Sequence, residues 1–274
     1  MWRRTLDCLG VVVQISSRVA ELDRVLESVF HTYAEASGTP AVDYALDADD
    51  LTLARDGETI RRCREAIDLV AVLELDLYRQ VMSRASGLLL HAGAVVGSGG
   101  AALVFAGRSG AGKSTLVRAL LDLGYDYLSE ECVALAVDGT CRGLARSLHV
   151  DDDSVAAPAG FSRGEYPIRR DQGGVQVAGL LHPPPDRIWR GAARTVALIA
   201  IDHAEGAVDS LVPMSGGDAL VRLWPTVFRA DGEAVAEAGQ ALAAVARFHL
   251  HTSSPEAAIE RVLALAAQLG VEPR

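Results

Sequence analysis

Ala101-Ala102-Leu103-Val104-Phe105-Ala106-Gly107-Arg108-Ser109-Gly110-Ala111-Gly112-Lys113-Ser114-Thr115-Leu116 is the stretch on which the fold turns. Residues 101–106 are all apolar and predict a buried strand. Gly107–Gly112 is a glycine-rich loop. From Lys113 to Leu123 the apolar residues Leu116, Leu120, Leu121 and Leu123 recur with helical spacing. Gly124 stands where a left-handed residue commonly closes a helix. The eight residues Gly107 to Ser114 match G-x-x-x-x-G-K-S, in the strand-before, helix-after context that gives this pattern its meaning.

Each residue type has a physical reason. Gly107, Gly110 and Gly112 permit dihedrals that a Cβ would forbid, so successive N–H groups can converge on phosphate oxygens. The helix start adds the positive end of its dipole. Lys113 supplies a mobile cation to the β- and γ-phosphates, and the Ser114 hydroxyl suits Mg²⁺. The expected ligand is ATP or another nucleoside triphosphate with Mg²⁺. It is held by Gly107, Arg108, Ser109, Gly110, Ala111, Gly112, Lys113, Ser114 and Thr115.

Working outward, Leu88–Val96 predicts a strand before 101–106. The nearly uncharged run Gly87–Gly107 has about the length of a membrane-spanning helix, but Ser98-Gly99-Gly100 at its centre favours two buried strands joined by a turn. His91 lies within the first of them, either as a strand-end histidine or as a contact for phosphate or acceptor. Downstream, Tyr127–Leu128 and Cys132–Val137 predict strands, and Asp138-Gly139 a turn. Between the strands stands Ser129-Glu130-Glu131. In a nucleotide site one acid here would help hold Mg²⁺, and the other would take a proton from an acceptor hydroxyl. Neighbouring residues of a regular strand point to opposite faces, so an irregular segment is needed for both acids to face one ligand.

Residues 1–86 predict a small N-terminal α/β region, a candidate recognition element. Val11–Ile15 is a β-branched run, Val19–Tyr33 and Glu65–Ala85 have helical spacing, and Tyr44–Ile60 forms a strand pair around Asp56-Gly57. Residues 87–274 form the expected core. Within it, 151–192 hold five of the ten prolines and predict a long mobile loop region with short helical pieces. Its His182–Pro185 segment is expected to be a stiff loop. Thr195–Ile201 and Arg247–Thr252 predict strands. Gly217–Trp224, Glu233–Ala246 and Pro255–Leu269 predict helices, the last with proline in its first turn.

The whole chain sets bounds. It has 274 residues, half of them hydrophobic, enough for a sizeable core. With 36 acidic against 26 basic residues, the net charge of −10 argues against nucleic acid as a partner. No signal peptide or membrane span is evident, and a cytoplasmic setting is expected. Cys8, Cys63, Cys132 and Cys141 include no C-x-x-C pair and are expected to be reduced thiols. Cys132 and Cys141 are expected on adjacent strands of one hairpin. His249-x-His251 places two imidazoles on one strand face, and Asp151-Asp152-Asp153 is an acidic run. Neither alone makes a metal site.

Leu90-His91-Ala92-Gly93-Ala94-Val95, then Val104 to Leu116, then Gly124-Tyr125-Asp126-Tyr127-Leu128-Ser129-Glu130-Glu131 resemble the catalytic core of HPr kinase/phosphorylase. They are more similar still to the HPr-kinase-like proteins of peptide-modifying clusters, lasso-peptide kinases among them. The resemblance is good over 88–150 and weak to about 270. It implies a P-loop core of the HPr kinase and phosphoenolpyruvate carboxykinase type, a mixed sheet with flanking helices. It implies catalytic roles for Glu130, Glu131, Lys113 and His91, with Ser114 and Glu131 toward the metal. Arg146 resembles an arginine that follows the acid hairpin in that family. The family usually carries Asp-Asp or Asp-Glu where this chain has Glu130-Glu131. The Pro-x-x-Pro-Gly-Arg signature is absent, so phosphorylase activity and HPr itself are not carried over.

The expected activity is transfer of the γ-phosphate to a Ser or Thr hydroxyl of a peptide or small protein. Arg146, Arg163, Arg169 and Arg170 are candidates to close over that phosphate. A kinase for an amino acid or sugar, and a nucleotide-binding regulator with little transfer, are the alternatives. The resemblance makes a homo-oligomer an option.

Overall fold

The computed structural model describes residues 1–150, 157–164, 179–204, 206, 208–228 and 232–274. It is a mixed α/β protein that divides into two units. One comprises 1–85 and 146–184, and the other 86–145 and 185–274.

Alternation builds the first unit. In β2 (Val11–Ser17) every second side chain is buried, the pattern of a strand with one covered face. It pairs antiparallel with β1 (Trp2–Cys8), an element the sequence reading did not include. The turn between them uses Leu9 at φ 58° and Gly10 at φ 86°. The expected helix over Val19–Tyr33 is shorter. A 3-10 turn leads into α1 (Asp23–Val29), no side chain caps either start, and Phe30 and Tyr33 instead pack edge to face at 5.4 Å. Strands β3 (Ala34–Glu35), β4 (Val42–Asp47), β5 (Thr52–Arg55) and β6 (Glu58–Arg62) complete a sheet ordered β3-β1-β2-β4-β5-β6. The expected hairpin at Asp56-Gly57 is present, with both residues at positive φ. Helix α2 (Ala66–Arg84) buries Leu69, Leu73, Leu77 and Val81 and packs on β4, β5 and β6.

The second unit opens with β7 (Leu88–Val96), a 3-10 turn at Ser98–Gly100 and β8 (Ala101–Ala106), antiparallel to β7. The uncharged run at 87–107 is thus two strands. Helix α3 (Lys113–Asp122) follows and buries Leu116, Val117, Leu120 and Leu121. Gly124 ends it at φ 101°, with Tyr125 N donating to Leu120 O, the paired bonding of a left-handed cap. Strands β9 (Asp126–Ser129), β10 (Cys132–Leu135) and β11 (Thr140–Gly143) come next.

The chain then passes back to the first unit for β12 (Leu148–Val150), β13 (Ser162–Gly164) and β14 (Gly179–His182), a small antiparallel sheet ordered β12-β14-β13. The described parts of 151–192 are mostly irregular, as expected, but include the strands β13 and β14 beside a 3-10 turn at Pro185–Arg187. Residues 151–156 and 165–178 of that region, for which mobility was expected, lie outside those described. His182 is the end of β14 and is buried, not part of a stiff loop.

The last stretch gives β15 (Ala193–His203), β16 (Ser210–Pro213), α4 (Gly216–Leu223), α5 (Gly232–Ala243), β17 (Arg247–Thr252) and α6 (Pro255–Gln268). Ser215 and Ser254 cap α4 and α6. The sheet runs β11-β10-β7-β8-β15-β17-β16, with β8, β15 and β17 mutually parallel. Because β11 also pairs with the start of β15 at Cys141↔Ala193, the path β11-β10-β7-β8-β15 closes on itself. Alternate residues of β7 and β8 (Leu90, Ala92, Ala94, Ala102, Val104) share a core with Ala219 and Leu223 of α4 and Ala241 and Leu242 of α5. Gly93 lies under α3, where a Cβ would stand 2.8 Å from Val117 Cγ2.

Candidate functional site

The glycine loop connects a fully buried strand to a helix. A Cβ on Gly107 would meet Ala111 Cβ and Ile201 O, each at 3.0 Å. Gly110 and Gly112 have φ of 81° and 94°, which strains any residue with a Cβ. No side chain caps the start of α3, and the first amides of a helix have no intrahelical partner. Lys113 is only 6 % exposed. Its Nζ donates to Gly107 O at 2.8 Å and Arg108 O at 3.0 Å, clasping the loop to the helix. Arg108, Ser109 and Ser114 are exposed, and Ala111 and Thr115 are half-buried.

Strand register sets what flanks the loop. Ala106, the last residue of β8, pairs with Ala92 of β7 on one side and Ala200 of β15 on the other. Gly107 is therefore level with His91 and with Ile201. His91 in turn pairs with Cys132 of β10. The acids Glu130 and Glu131 fall in the break between β9 and β10, which pair with successive parts of one edge of β7. Hydrogen bonds made by Ser129 and Ala92 fix that break. The Ser129 hydroxyl donates toward Cys132 O (2.8 Å) and Leu144 O (3.0 Å) while accepting from Cys132 N (3.2 Å), and Ala92 N donates to Glu131 O at 3.1 Å. This is the irregular segment that the sequence required. Both acids are half-buried.

Electrostatics tie the group together. Burial lowers the Lys113 pKa below the ordinary lysine range, and the carboxylates of Glu131 and Glu130 act against that. Burial, then the charge of Lys113, lowers the pKa of His91, and Glu131 acts against that. The His91 ring also lies 6.0 Å from that of Phe228, whose amide donates to Leu89 O at 3.0 Å on the edge of β7 that β8 leaves free.

On the β15 side the loop borders a cleft of about 570 Å³ lined by Gly107 to Ala111, Asp202, His203 and Arg222. Asp202 accepts from Arg222 NH1 at 3.0 Å and lies 2.9 Å from His249 Nε2. The sequence reading missed Asp202. It stands at the C-terminal end of a strand parallel to and beside the strand that feeds the loop, where a nucleotide site commonly keeps a metal-directed acid. The signal was available: six apolar residues, Val196–Ile201, end in Asp202.

Arg146 belongs to the other unit, where its guanidinium donates to Glu74 at 3.2 Å. Arg163 lies in β13 of that same unit. Arg169, Arg170 and Asp151–Asp153 lie outside the described residues. That unit also holds a buried polar chain. His182 Nδ1 is 2.8 Å from Ser147 Oγ and its Nε2 is 3.1 Å from Ser28 Oγ. Burial and the neighbouring His31 lower the His182 pKa to about 4, and burial with Arg146 lowers that of His149 to about 3.

None of the four cysteines is in a disulfide. Cys132 and Cys141 do lie on paired strands, but in register Cys141 faces Leu135, and burial pushes both thiols up, Cys141 to about 11. The His249 and His251 rings stack at 6.1 Å. Among the described residues no group of three or more His, Cys, Asp or Glu is placed to hold a metal by itself, and no helix is long and apolar enough to cross a membrane. No protein-family model matches the chain, and no curated protein matches it.

Proposed function

We propose that the chain is an ATP- and Mg²⁺-dependent phosphotransferase with a P-loop at Gly107–Ser114, delivering the γ-phosphate to a Ser or Thr hydroxyl of a peptide or small protein. One observation carries the reading: the buried ammonium of Lys113, clasped to a glycine loop, feels the field of the acid pair Glu130-Glu131. That field supports reading Lys113 as the cation for the transferring phosphate and one of the two acids as the base for the acceptor. The resemblance to HPr-kinase-like proteins supports the acceptor class.

Main-chain amides of the loop and the start of α3 bind the polyphosphate. Lys113 exchanges its loop carbonyls for β- and γ-phosphate oxygens and offsets charge there. One of Glu130 and Glu131 accepts the proton as the acceptor oxygen bonds to phosphorus and the β–γ bridging bond breaks, leaving ADP. His91, neutral near pH 7 because its pKa is lowered, donates or accepts a hydrogen bond without adding charge. The donor set fits Mg²⁺, which takes one or two carboxylates together with phosphate oxygens. Ser114 and Glu131 would hold it; Asp202, on the other side of β8, is the rival acid. Bound there, the ion would neutralise charge developing between the β- and γ-phosphates.

The cleft beside the loop favours a second reading. About 570 Å³ is within the range of small-molecule sites, so an amino acid or sugar is the alternative acceptor. The buried thiols of Cys8, Cys132 and Cys141, none in a disulfide, suit a reducing, cytoplasmic setting. The test is transfer of labelled γ-phosphate to hydroxyl peptides and to free amino acids and sugars, with Lys113→Ala beside the native chain. Peptide labelling that Lys113→Ala abolishes is the expected result. Equal labelling by Lys113→Ala would defeat the proposal.

A further inference from the structure

We propose that the nucleoside end of the triphosphate lodges in a small apolar cleft between α3 and α6, on the far side of the loop from the acid pair; this rests on reading Gly107–Ser114 as a polyphosphate grip. The cleft measures about 190 Å³, and its apolar wall is Leu116, Ile201, Pro255 and Ala258. Gly110, Ala111 and Gly112 belong to its lining, so a ligand lying on the loop enters it without a gap.

Polarity sets the direction. The γ end of a bound triphosphate lies toward Lys113, which feels Glu130 and Glu131 across β7. The α-phosphate, which carries the nucleoside, then lies toward β15 and β17 at the opposite side of β8. Two clefts open there. The larger is faced by Asp202, Arg222 and His203 and does not touch the first turn of α3. The smaller includes Thr115 and Leu116 of that turn and is the more apolar of the two in proportion, which suits the face of a planar aromatic ring.

The same cleft sets the manner of recognition. Its two hydroxyl neighbours on the β17–α6 corner are committed: Thr252 Oγ1 donates to Ser254 O at 2.8 Å, and Ser254 Oγ accepts from Ala257 N at 3.2 Å as the cap of α6. Thr115 and His203 also line the cleft, but a rotating hydroxyl and a single imidazole do not present the fixed donor–acceptor pair that tells adenine from guanine, so the cleft reads mainly the face of the ring. ATP and GTP bind comparably.

The test is calorimetric titration of the full chain with ATP, GTP and inorganic tripolyphosphate in the presence of Mg²⁺. Pro255→Trp fills the cleft from an exposed position, and Ala258→Leu fills it from a buried one. The native chain is expected to bind ATP and GTP alike, each about tenfold tighter than tripolyphosphate, as burial of one ring-sized apolar group requires. Both variants are expected to lose that tenfold while holding tripolyphosphate as before. ATP binding that neither variant weakens overturns the nucleoside site while leaving the polyphosphate grip in place. Failure of the native chain to bind either ATP or tripolyphosphate overturns the grip itself.

Discussion

The amide of Ala92 donates to the carbonyl of Glu131 at 3.1 Å, which locks the strand bearing His91 to the turn bearing both candidate acids. The charges around this lock have opposite effects on the imidazole. Glu131 raises the His91 pKa, and Lys113 lowers it. In Glu131→Gln the His91 pKa should fall further below its ordinary value, and in Lys113→Met it should rise. NMR titration of the ring carbon reads both. Shifts of the same sign in the two variants would remove the electrostatic link between acid turn and loop.

The two acids should separate by kinetics. Glutamine at the position of the base should lower turnover by roughly 10²- to 10⁴-fold and leave nucleotide affinity little changed. Glutamine at the metal-directed position should raise the Mg²⁺ concentration needed for half-maximal rate. Initial rates over a Mg²⁺ series distinguish Glu130→Gln from Glu131→Gln. Full turnover in both single variants and in the double variant would exclude the pair from the chemistry.

Gly93 is required by proximity, not by its dihedrals. A methyl there would stand 2.8 Å from Val117 Cγ2, so Gly93→Ala must push α3 outward from β7. Overpacking of this kind costs about 1–3 kcal/mol, and the shift is passed to Lys113 at the start of the same helix. Denaturant unfolding should show the loss, with weaker nucleotide binding beside it. Val117→Ala in the Gly93→Ala background should restore part of both. Wild-type stability in Gly93→Ala would contradict the packing.

Acid should weaken the first unit. The folded-state pKa values of His182 and His149 lie near 4 and 3, against about 6.5 in an unfolded chain. Below pH 6.5 the unfolded state takes protons that the folded state declines, so stability falls as pH drops toward those values. At full difference each histidine contributes about 1.4 kcal/mol per pH unit. His182→Gln should therefore flatten the dependence of unfolding free energy on pH between 6 and 4, whatever its effect at pH 7. An unchanged slope would show that His182 does not remain neutral.

Asp202 offers a test that depends on its partners. Asp202→Asn keeps shape but removes the charge that holds Arg222 and His249. A metal-directed role requires a higher Mg²⁺ concentration for half-maximal rate in this variant and in Asp202→Ala alike. A role confined to holding Arg222 and His249 would leave the Mg²⁺ requirement unchanged in both.

What could be read from the chain beforehand was local. The loop at 107–112, the cap at Gly124 and the turns at Asp56-Gly57 and Asp138-Gly139 declare themselves because glycine and aspartate fix backbone geometry within a few residues. β1 escaped notice because its turn places Leu9, not a turn residue, at positive φ. The helix from Val19 ended early because apolar spacing continued through Phe30 and Tyr33 after helical bonding had stopped. The first unit was read as contiguous. Its second segment joins through contacts such as Ser28 with His182, which no local pattern announces. At the site, the irregular turn at Glu130-Glu131 could be required but not observed, and Asp202 was lost by ending a strand one residue too soon.

The strand that feeds the glycine loop has parallel neighbours only after residue 193. During synthesis β8 therefore leaves the ribosome long before β15 exists. One apolar edge waits unpaired while the intervening chain emerges, and such an edge invites association with other chains. Closure of this sheet waits for β15, and slow, non-local pairing should govern the pace of folding. Yield in a heterologous host should then respond more to chaperone supply and growth temperature than to any change at the loop itself.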